Sequence, residues 1–270
     1  MSFAFKSPET NLQNVPRDPR IKRMFIPRDG YFFVEADLSQ AEARVVAWKA
    51  EERKLIDAYA RGEDVHSLTA GIVFAYPVKK GMPERQTGKT IGHASNYTMG
   101  PRKLVDVVFR DNDLVISEKE ARLRQNRYYQ GFPNIKSVFH REIRVELQSK
   151  RRTLTNPFGR VRKFYQPWGD ELFRMAYSHY AQSTVADVVN HGMIRCWDAL
   201  PKVGVRIVAQ IHDSLLFEVP KDYIGEGFKP LLREIVGLMT IPFQIKGREL
   251  IIPVEIKWGT DWGNMEEVKL

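Results

Sequence analysis

The sequence predicts a fold that mixes α-helices with a few β-strands, and three observations indicate it. Residues 31–34 form an apolar run of the aromatic and β-branched kind that favours a buried strand, and helical spacing follows this run. Residues 205–219 contain two strand-like runs around a tight connection, which is typical of a hairpin. Most of the chain between these regions, and residues 171–200, has the spacing of helices.

Composition and charge narrow the classes of function. The chain has 270 residues, enough for one large domain or two smaller ones, and its formal net charge is +9. This excess of cations favours a polyanionic partner, with nucleic acid first and an anionic membrane second. No apolar run could span a bilayer and no signal-peptide pattern is present, so we expect a soluble protein of the cytoplasm. Cys196 is the only cysteine, which excludes an internal disulfide and Cys-rich zinc motifs.

Each of the two strand regions carries a carboxylate at its end. Asp37 closes the first run, before a turn at Leu38-Ser39 and a helix that Ser39 could cap. Asp213 follows His212 at the tip of the predicted hairpin. For Asp37 alone, a surface residue at a strand end is an equally good interpretation. Two carboxylates on neighbouring strand ends, however, can hold two divalent cations, and oxygen ligands suit Mg²⁺.

Helical patterns fill most of the remaining chain, in the following order. The first twenty residues are rich in Pro, Asn and Arg and should be mostly irregular. We expect helices over residues 40–61, 65–74, from 83 to about 97, 103–109, 117–130 and 135–150. Asp64 is the predicted cap of the second of these, and Ser117 with Glu120 fits a capping box. A hairpin at 150–164, helices at 171–200 and 222–239, and a last strand at 250–257 complete the chain.

Two basic stretches have both a plain and a functional interpretation. Arg85, Lys89, His93 and Tyr97 recur at four-residue steps and share one stripe of their helix. A solvated basic face is the commoner meaning of such a stripe, and a surface for a triphosphate is the functional one. The hairpin around Arg160 has six basic residues, and it could lie on a phosphate backbone or be merely solvated.

Six segments, taken in chain order, resemble the polymerase region of family A DNA polymerases, the bacterial polymerase I type. Residues 37–44 fit the family motif DxSQxExR closely. Arg85, Lys89 and Tyr97 match its RxxxKxxxFxxYG motif, and His212-Asp213 matches its HDE motif between two strands. Residues 11–16, 64–66 and 182–187 are similar to its NLQNIP, DIH and QGTAAD segments.

This resemblance implies an α+β fold with a palm and fingers. The palm is an antiparallel sheet with helices behind it, and helical fingers are inserted into it. We expect a first part of the palm at residues 1–49, fingers at 50–163 and a second part of the palm at 164–270. The family's thumb and proofreading domain do not fit into the ten residues before Asn11. Another polypeptide supplies them, or the molecule is a fragment, or the fold lacks a thumb.

The resemblance also implies a role for particular residues. Asp37, Asp213 and the backbone carbonyl of Leu38 would hold two Mg²⁺ ions as the catalytic centre. The expected nucleotide-binding residues are Arg85, Lys89, His93, Tyr97, Glu42 and Gln40, and Glu42 with Tyr97 would exclude a 2′-hydroxyl. The expected DNA-binding residues are Arg174, Gln182, His212, Asn14, Arg17 and Arg160. Four positions depart from the family pattern: His93, Thr98, Ser178 and Ser214.

The expected function is therefore template-directed DNA polymerisation, by this chain or by a larger molecule of which it is the catalytic portion. Its expected partners are primer-template DNA and deoxynucleoside triphosphates, with a separate chain for the thumb and proofreading domain as one option and with no membrane. A single-subunit RNA polymerase is an alternative, against which Glu42 argues because it resembles the sugar-selecting Glu. A non-catalytic nucleic-acid-binding protein of the same fold is the other, against which the retained Asp37 and Asp213 argue.

Overall fold

A computed structural model describes Val15 and residues 18–270, and all structural statements concern this part of the chain. The predicted DNA contacts of Asn14 and Arg17 lie outside it, as does most of the segment predicted to be irregular. The chain packs into two compact units. The first contains the described residues up to Ala41, with Gln182–Gln244 and Glu249–Leu270. The second contains Glu42–Ala181 with Ile245–Arg248.

The strands form one larger sheet and two small hairpins. In chain order they are β1 (Tyr31–Leu38), β2 (Thr153–Thr155), β3 (Val161–Lys163), β4 (Arg206–Ile211), β5 (Ser214–Pro220), β6 (Phe243–Ile245), β7 (Arg248–Leu250), β8 (Val254–Gly259) and β9 (Glu266–Val268). The five-stranded sheet has the order β4-β5-β1-β8-β9, and all of its pairings are antiparallel. Strand β1 is therefore its middle strand, with β5 on one side and β8 on the other.

Burial on both faces explains the continuous apolar run of β1. Phe32, on one face, has edge-to-face contacts with Phe228 and Trp258, at ring-centroid distances of 5.7 Å each. Phe33, on the other face, belongs to a buried cluster with Leu216 and Trp262. A strand that is covered on both sides needs apolar residues at successive positions, because side chains alternate between the two faces.

Ten α-helices are present in the described residues. They are α1 (Pro19–Lys22), α2 (Ala41–Ala50), α3 (Arg53–Ala60), α4 (Val65–Phe74), α5 (Pro83–Asn96), α6 (Pro101–Asn112), α7 (Glu118–Gly131), α8 (Arg141–Ser149), α9 (Asp170–Ala199) and α10 (Phe228–Met239). A π-helical segment, Ile135–His140, precedes α8, and 3₁₀ turns lie at Leu200–Val203 and Lys221–Tyr223. The α+β class predicted from the sequence is confirmed. Within residues 18–270, no helix is both long and apolar enough to cross a membrane.

Several predicted elements appear with their predicted ends. Helix α4 covers residues 65–74, and the Asp64 side chain accepts hydrogen bonds from the N–H groups of its first turn. The capping box of Ser117 and Glu120 is present at the start of α7. The hairpin of β4 and β5 turns at His212-Asp213, as predicted.

Other elements differ from the predictions, for local reasons. The helix predicted over 40–61 is two helices, because Glu51 adopts a left-handed φ of +53° between α2 and α3. Helix α10 starts at Phe228 and not near Asp222, since Gly225 has a φ of +124° that no helix admits. The last predicted strand starts at Val254 because Pro253, just before it, lacks the N–H that a sheet ladder needs.

Candidate functional site

The two predicted metal-binding carboxylates lie close together on the sheet of the first unit. Asp37, on β1, stands opposite Ser214 of β5 and Glu255 of β8. Asp213 lies in the turn that precedes β5, and its backbone carbonyl accepts a 3.1 Å hydrogen bond from the N–H of Leu38. The structure thus brings Asp37, Leu38 and Asp213 together at the end of neighbouring strands.

Electrostatics at this place favour a bound cation. Burial, and after it the negative charges of Asp213, Glu35 and Glu255, raise the pKa of Asp37 to about 7 against the opposing effect of Lys257. Partly buried carboxylates that repel each other are stabilised by a cation among them. The Ser39 hydroxyl donates a 2.5 Å hydrogen bond to Glu255, which holds that carboxylate beside the pair.

The donor set fits Mg²⁺ better than a softer metal. All the candidate ligands are oxygen atoms, from two carboxylates and the Leu38 carbonyl, and Mg²⁺ keeps several positions for water and substrate oxygens. Among the described residues, no group of three or more His, Cys, Asp or Glu side chains is arranged to hold a metal ion.

The predicted nucleotide-binding stripe lies on α5 in the second unit. Arg85 is partly exposed, and Lys89 and His93 are exposed, whereas Gly88 and Ile91 of the same helix are buried. Gly88 lies directly against Ala70 of α4, because a Cβ built on Gly88 would be 2.5 Å from the Cβ of Ala70. This close contact of the helices places the start of α4 beside Arg85.

Arg85 forms an ion pair that the sequence did not indicate. Its guanidinium donates to both carboxylate oxygens of Asp64, at 2.5 and 3.0 Å. Burial raises the pKa of Asp64, but hydrogen bonds from Arg85 and Ser67 outweigh this effect and lower the pKa to about 2. Asp64 therefore both caps α4 and orients Arg85.

His66 is a candidate that sequence analysis missed. It is the second residue of α4, and burial, together with the charges of Lys89 and Arg85, lowers its pKa to about 4. It is therefore neutral at pH 7 and adds an uncharged ring to the two cations of the stripe. The signal in the sequence was its place in the segment 64–66, which is similar to the DIH segment of the family.

Tyr97, at the end of α5, joins the stripe to Glu42. Its hydroxyl donates a hydrogen bond to the Glu42 carboxylate, and burial and the charge of Glu42 raise its pKa well above the usual value. The His93 ring contacts the Tyr97 ring edge-to-face, with centroids 4.9 Å apart. In the first unit, Gln40 has a left-handed φ of +51°, and its buried Oε1 has no hydrogen-bond partner among the described residues.

A layer of hydrogen bonds holds the end of α5 in place, and no sequence pattern indicated it. The hydroxyl groups of Tyr128 and Tyr129 donate to Asn96 and to the Ser95 carbonyl, at 2.7 Å each. The ring nitrogen Nε2 of His140 lies 2.8 Å from the Asn96 carbonyl. Tyr97 is therefore presented by a rigid helix end.

The predicted DNA-binding residues are distributed over both units. Arg174 is exposed on α9, and Gln182 is half-buried about two turns further along the same helix. His212 is exposed in the turn between β4 and β5, with a φ of +53°. Arg160 lies in the β2–β3 turn, where the Asn156 side chain accepts from its N–H at 2.9 Å.

Three of the positions that depart from the family pattern have visible local structure. Thr98 adopts a φ of +53°, a conformation in which glycine is unstrained. The Ser178 hydroxyl donates to the Met175 carbonyl, within its own helix. The Ser214 hydroxyl donates to the Ile211 carbonyl across the β4–β5 turn, next to Asp213.

Comparison with known proteins identifies the family. Residues 4–264 match DNA polymerase family A. The chain is 30% identical to the thermostable DNA polymerase I of Thermus aquaticus and 31% identical to DNA polymerase I of Rhizobium leguminosarum, over 97% and 95% of its own length. It spans only 31% and 26% of those relatives.

A solved structure shares the fold. It is the POL domain of Pol1 from M. smegmatis in complex with DNA primer-template and dNTP, with a TM-score of 0.79 and 25% identity. The match covers 94% of this chain and 44% of that one. The resemblance found in the six sequence segments is confirmed, and the chain belongs to DNA polymerase family A.

Proposed function

We propose that this chain is the nucleotide-adding part of a template-directed DNA polymerase. The observation that carries the proposal is the pair of carboxylates, Asp37 and Asp213, at adjoining strand ends in a family A chain. The relatives named above are DNA polymerases I, and the solved neighbour is described in complex with DNA primer-template and dNTP. These names support the same substrates here, namely a primer-template duplex and deoxynucleoside triphosphates.

In this proposal Asp37, Asp213 and the Leu38 carbonyl hold two Mg²⁺ ions. When bound, these ions supply charge stabilisation to the attacking and leaving oxygens of a phosphoryl transfer. The primer 3′-hydroxyl attacks the α-phosphorus of the nucleotide, and pyrophosphate leaves, without a covalent bond to the protein. Because the pKa of Asp37 is about 7, a proton competes for the same carboxylate near neutral pH.

The stripe on α5 receives the triphosphate in this reaction. Arg85 and Lys89 neutralise phosphate oxygens, and Asp64 fixes the direction of the Arg85 guanidinium. His66, neutral at pH 7, contributes a hydrogen-bond donor without adding charge. Phosphoryl transfer depends mainly on positioning and on neutralisation of charge, and these side chains supply both.

Glu42, Tyr97 and His93 select the sugar. The hydrogen bond from Tyr97 to Glu42 occupies both groups, so a 2′-hydroxyl would meet a filled pocket with no free partner. Gln40 is assigned to the same substrate. His93 takes a position where the family usually has Phe or Tyr, and its ring contacts the Tyr97 ring edge-to-face.

The predicted DNA-binding residues hold the duplex in this proposal. Arg160 and Arg174 contribute charge to phosphates, and Gln182 and His212 contribute hydrogen-bonding groups. Residues 50–163 act as fingers and the flanking residues as palm. An intracellular location, DNA contacts from Asn14 and Arg17, and a separate chain with a thumb and proofreading domain stay predictions.

Primer extension with Mg²⁺ tests the proposal. Asp37→Asn and Asp213→Asn should each abolish nucleotide addition and leave duplex affinity nearly unchanged, because cationic side chains supply most of that affinity. Asp222→Asn is the matched control, since Asp222 is an exposed carboxylate in the same unit.

Three outcomes would contradict parts of the proposal. Full activity in either variant would refute the assignment of the two carboxylates. Equal use of ribonucleotides would favour the RNA polymerase alternative. Duplex binding without any extension by the wild-type chain would favour the non-catalytic alternative.

A further inference from the structure

A second candidate site lies at the base of the β2–β3 hairpin, in the second unit. It is an open hollow of about 430 Å³, and three cations and three aromatic rings line it: Arg151, Arg152, Lys163, Phe164, Tyr165 and Trp168. None of these side chains has a role in the reaction described above. The residues of this hollow are therefore different from those of the nucleotide-binding stripe and from the two carboxylates.

Two large aromatic side chains of this hollow are open to solvent. Tyr165 is 79% exposed and Trp168 is 47% exposed, whereas Phe164 is buried beneath them. Large exposed rings that lie together usually mark a surface that binds something. The Arg152 guanidinium lies 5.3 Å from the centroid of the Trp168 ring, and the Lys163 amine lies 5.6 Å from that of Tyr165.

The cations of the hollow are available to an anion. In the part of the chain that the structure describes, Arg151, Arg152 and Lys163 form no ion pair with a carboxylate. The Arg152 guanidinium donates to the backbone carbonyl of Gln166, at 2.9 Å. Three neighbouring positive charges without a counter-charge attract a polyanion.

The backbone holds these arginines in an unusual conformation. Arg151 and Arg152 have φ values of +48° and +62°, two successive left-handed residues that are not glycine. Such residues are strained, and strain of this kind clusters at binding sites. Two backbone hydrogen bonds maintain it, from Arg152 N–H to the Leu147 carbonyl at 2.7 Å and from Phe164 N–H to the Arg152 carbonyl at 2.9 Å.

We propose that this hollow binds unpaired bases of single-stranded DNA. Tyr165 and Trp168 stack on successive bases, and Arg151, Arg152 and Lys163 meet the phosphates between them, which is the combination that single-strand sites use. A duplex covers the faces of its bases by stacking and offers nothing to the two rings. An acidic peptide would use the cations and leave the rings exposed. In a polymerase this single strand would be the unpaired part of the template, and that identification rests on the proposed function.

The first experiment measures binding in the absence of Mg²⁺ and nucleotide. The probe is a labelled oligo(dT), and its affinity for the full chain is followed by fluorescence anisotropy. Stacking contributes about 1–3 kcal/mol per base, so Tyr165→Ala with Trp168→Ala should weaken binding about tenfold or more. Because no phosphate contact is lost, the dependence of affinity on salt should not change.

Matched variants separate stacking from charge. Tyr165→Phe with Trp168→Phe keeps two rings and should retain most of the affinity. Trp197→Ala removes a tryptophan that is 67% exposed on the first unit, and it should have no effect. Lys163→Ala should lower the slope of affinity against salt by about 0.7, the value for one phosphate of a single strand.

A crosslinking measurement locates the bound strand. Oligo(dT) that carries one 5-iodouracil should crosslink, under ultraviolet light, to the peptide that contains Tyr165 and Trp168. Unchanged oligo(dT) affinity in the double alanine variant would overturn the proposal, as would crosslinks found only elsewhere. Equal competition by polyglutamate and by duplex would also overturn it, because it would show a general anion site.

The binding of oligo(dT) to this hollow can be tested independently of the proposed polymerase function. Primer extension over a one-base overhang needs Asp37 and Asp213 and should not need these rings. Extension without single-strand binding would refute this inference alone, and single-strand binding without extension would refute the polymerase proposal alone.

Discussion

Replacing Gly88 by alanine tests how closely α4 and α5 pack. A Cβ at this position would lie 2.5 Å from the Cβ, 2.6 Å from the Cα and 2.9 Å from the backbone nitrogen of Ala70. Carbon atoms in contact are normally about 3.5–4.0 Å apart, so the helices must separate by about 1 Å. Two of the three atoms belong to the backbone of α4, which cannot turn away as a flexible side chain could.

Two opposing effects decide the size of the change. Forcing an extra methyl group into a packed contact costs about 1–3 kcal/mol, and backbone contacts belong at the upper end of that range. Alanine in place of glycine in a helix contributes about 1 kcal/mol in the other direction. We expect Gly88→Ala to lower the free energy of unfolding by about 1–2 kcal/mol. Because the shift separates Asp64 from Arg85, nucleotide binding should also weaken.

The assay is urea unfolding followed by circular dichroism, with the KM for nucleotide measured on the folded variant. Gly237→Ala is the matched control, because Gly237 also lies in a helix and a Cβ there would meet nothing within 4 Å. That variant should be unchanged or more stable by up to about 1 kcal/mol. A Gly88→Ala chain with the wild-type unfolding midpoint, or a higher one, would refute the reasoning.

Three further predictions follow from single residues. The pKa of Asp37 is about 7 in the folded chain against an ordinary 3.8, so the unfolded state loses its proton first and the stability of the metal-free chain should fall as the pH rises from about 4 to 7. Asp37→Asn should remove this fall, and equal pH profiles of the variant and the wild type in thermal unfolding would contradict the prediction. The pKa of Asp64 is about 2, so its contribution to stability is present above pH 3.8 and is lost as the pH falls through 2. The Asp64→Asn variant should lack this loss of stability in acid, and identical acid-unfolding curves of variant and wild type would argue against the ion pair with Arg85. Thr98→Gly relieves a left-handed β-branched residue and should raise the unfolding free energy by up to about 1 kcal/mol, which urea denaturation would measure and a loss of stability would contradict.

The sequence by itself determined the features that depend on near neighbours in the chain. The end of β1 just after Asp37, the hairpin tip at Asp213 and the Asp64 cap of α4 all follow from side-chain periodicity and from hydrogen bonds within a few residues. The stripe of Arg85, Lys89 and His93 follows from helical spacing in the same way. Six motifs in order then carried the family, which the comparisons confirmed.

Only the tertiary structure decided the features that join distant parts of the chain. Glu255 reaches the side of Asp37 because β8 pairs with β1 in one register, and a shift of one residue would have turned it to the other face. Arg85 meets Asp64 because a glycine lets α5 approach α4 closely. The pKa of Asp37 and the hollow beside Trp168 depend in the same way on burial, which arises from contacts between elements. Periodicity along one segment contains no information about such contacts, and this is why the sequence indicated candidate site residues but not their surroundings.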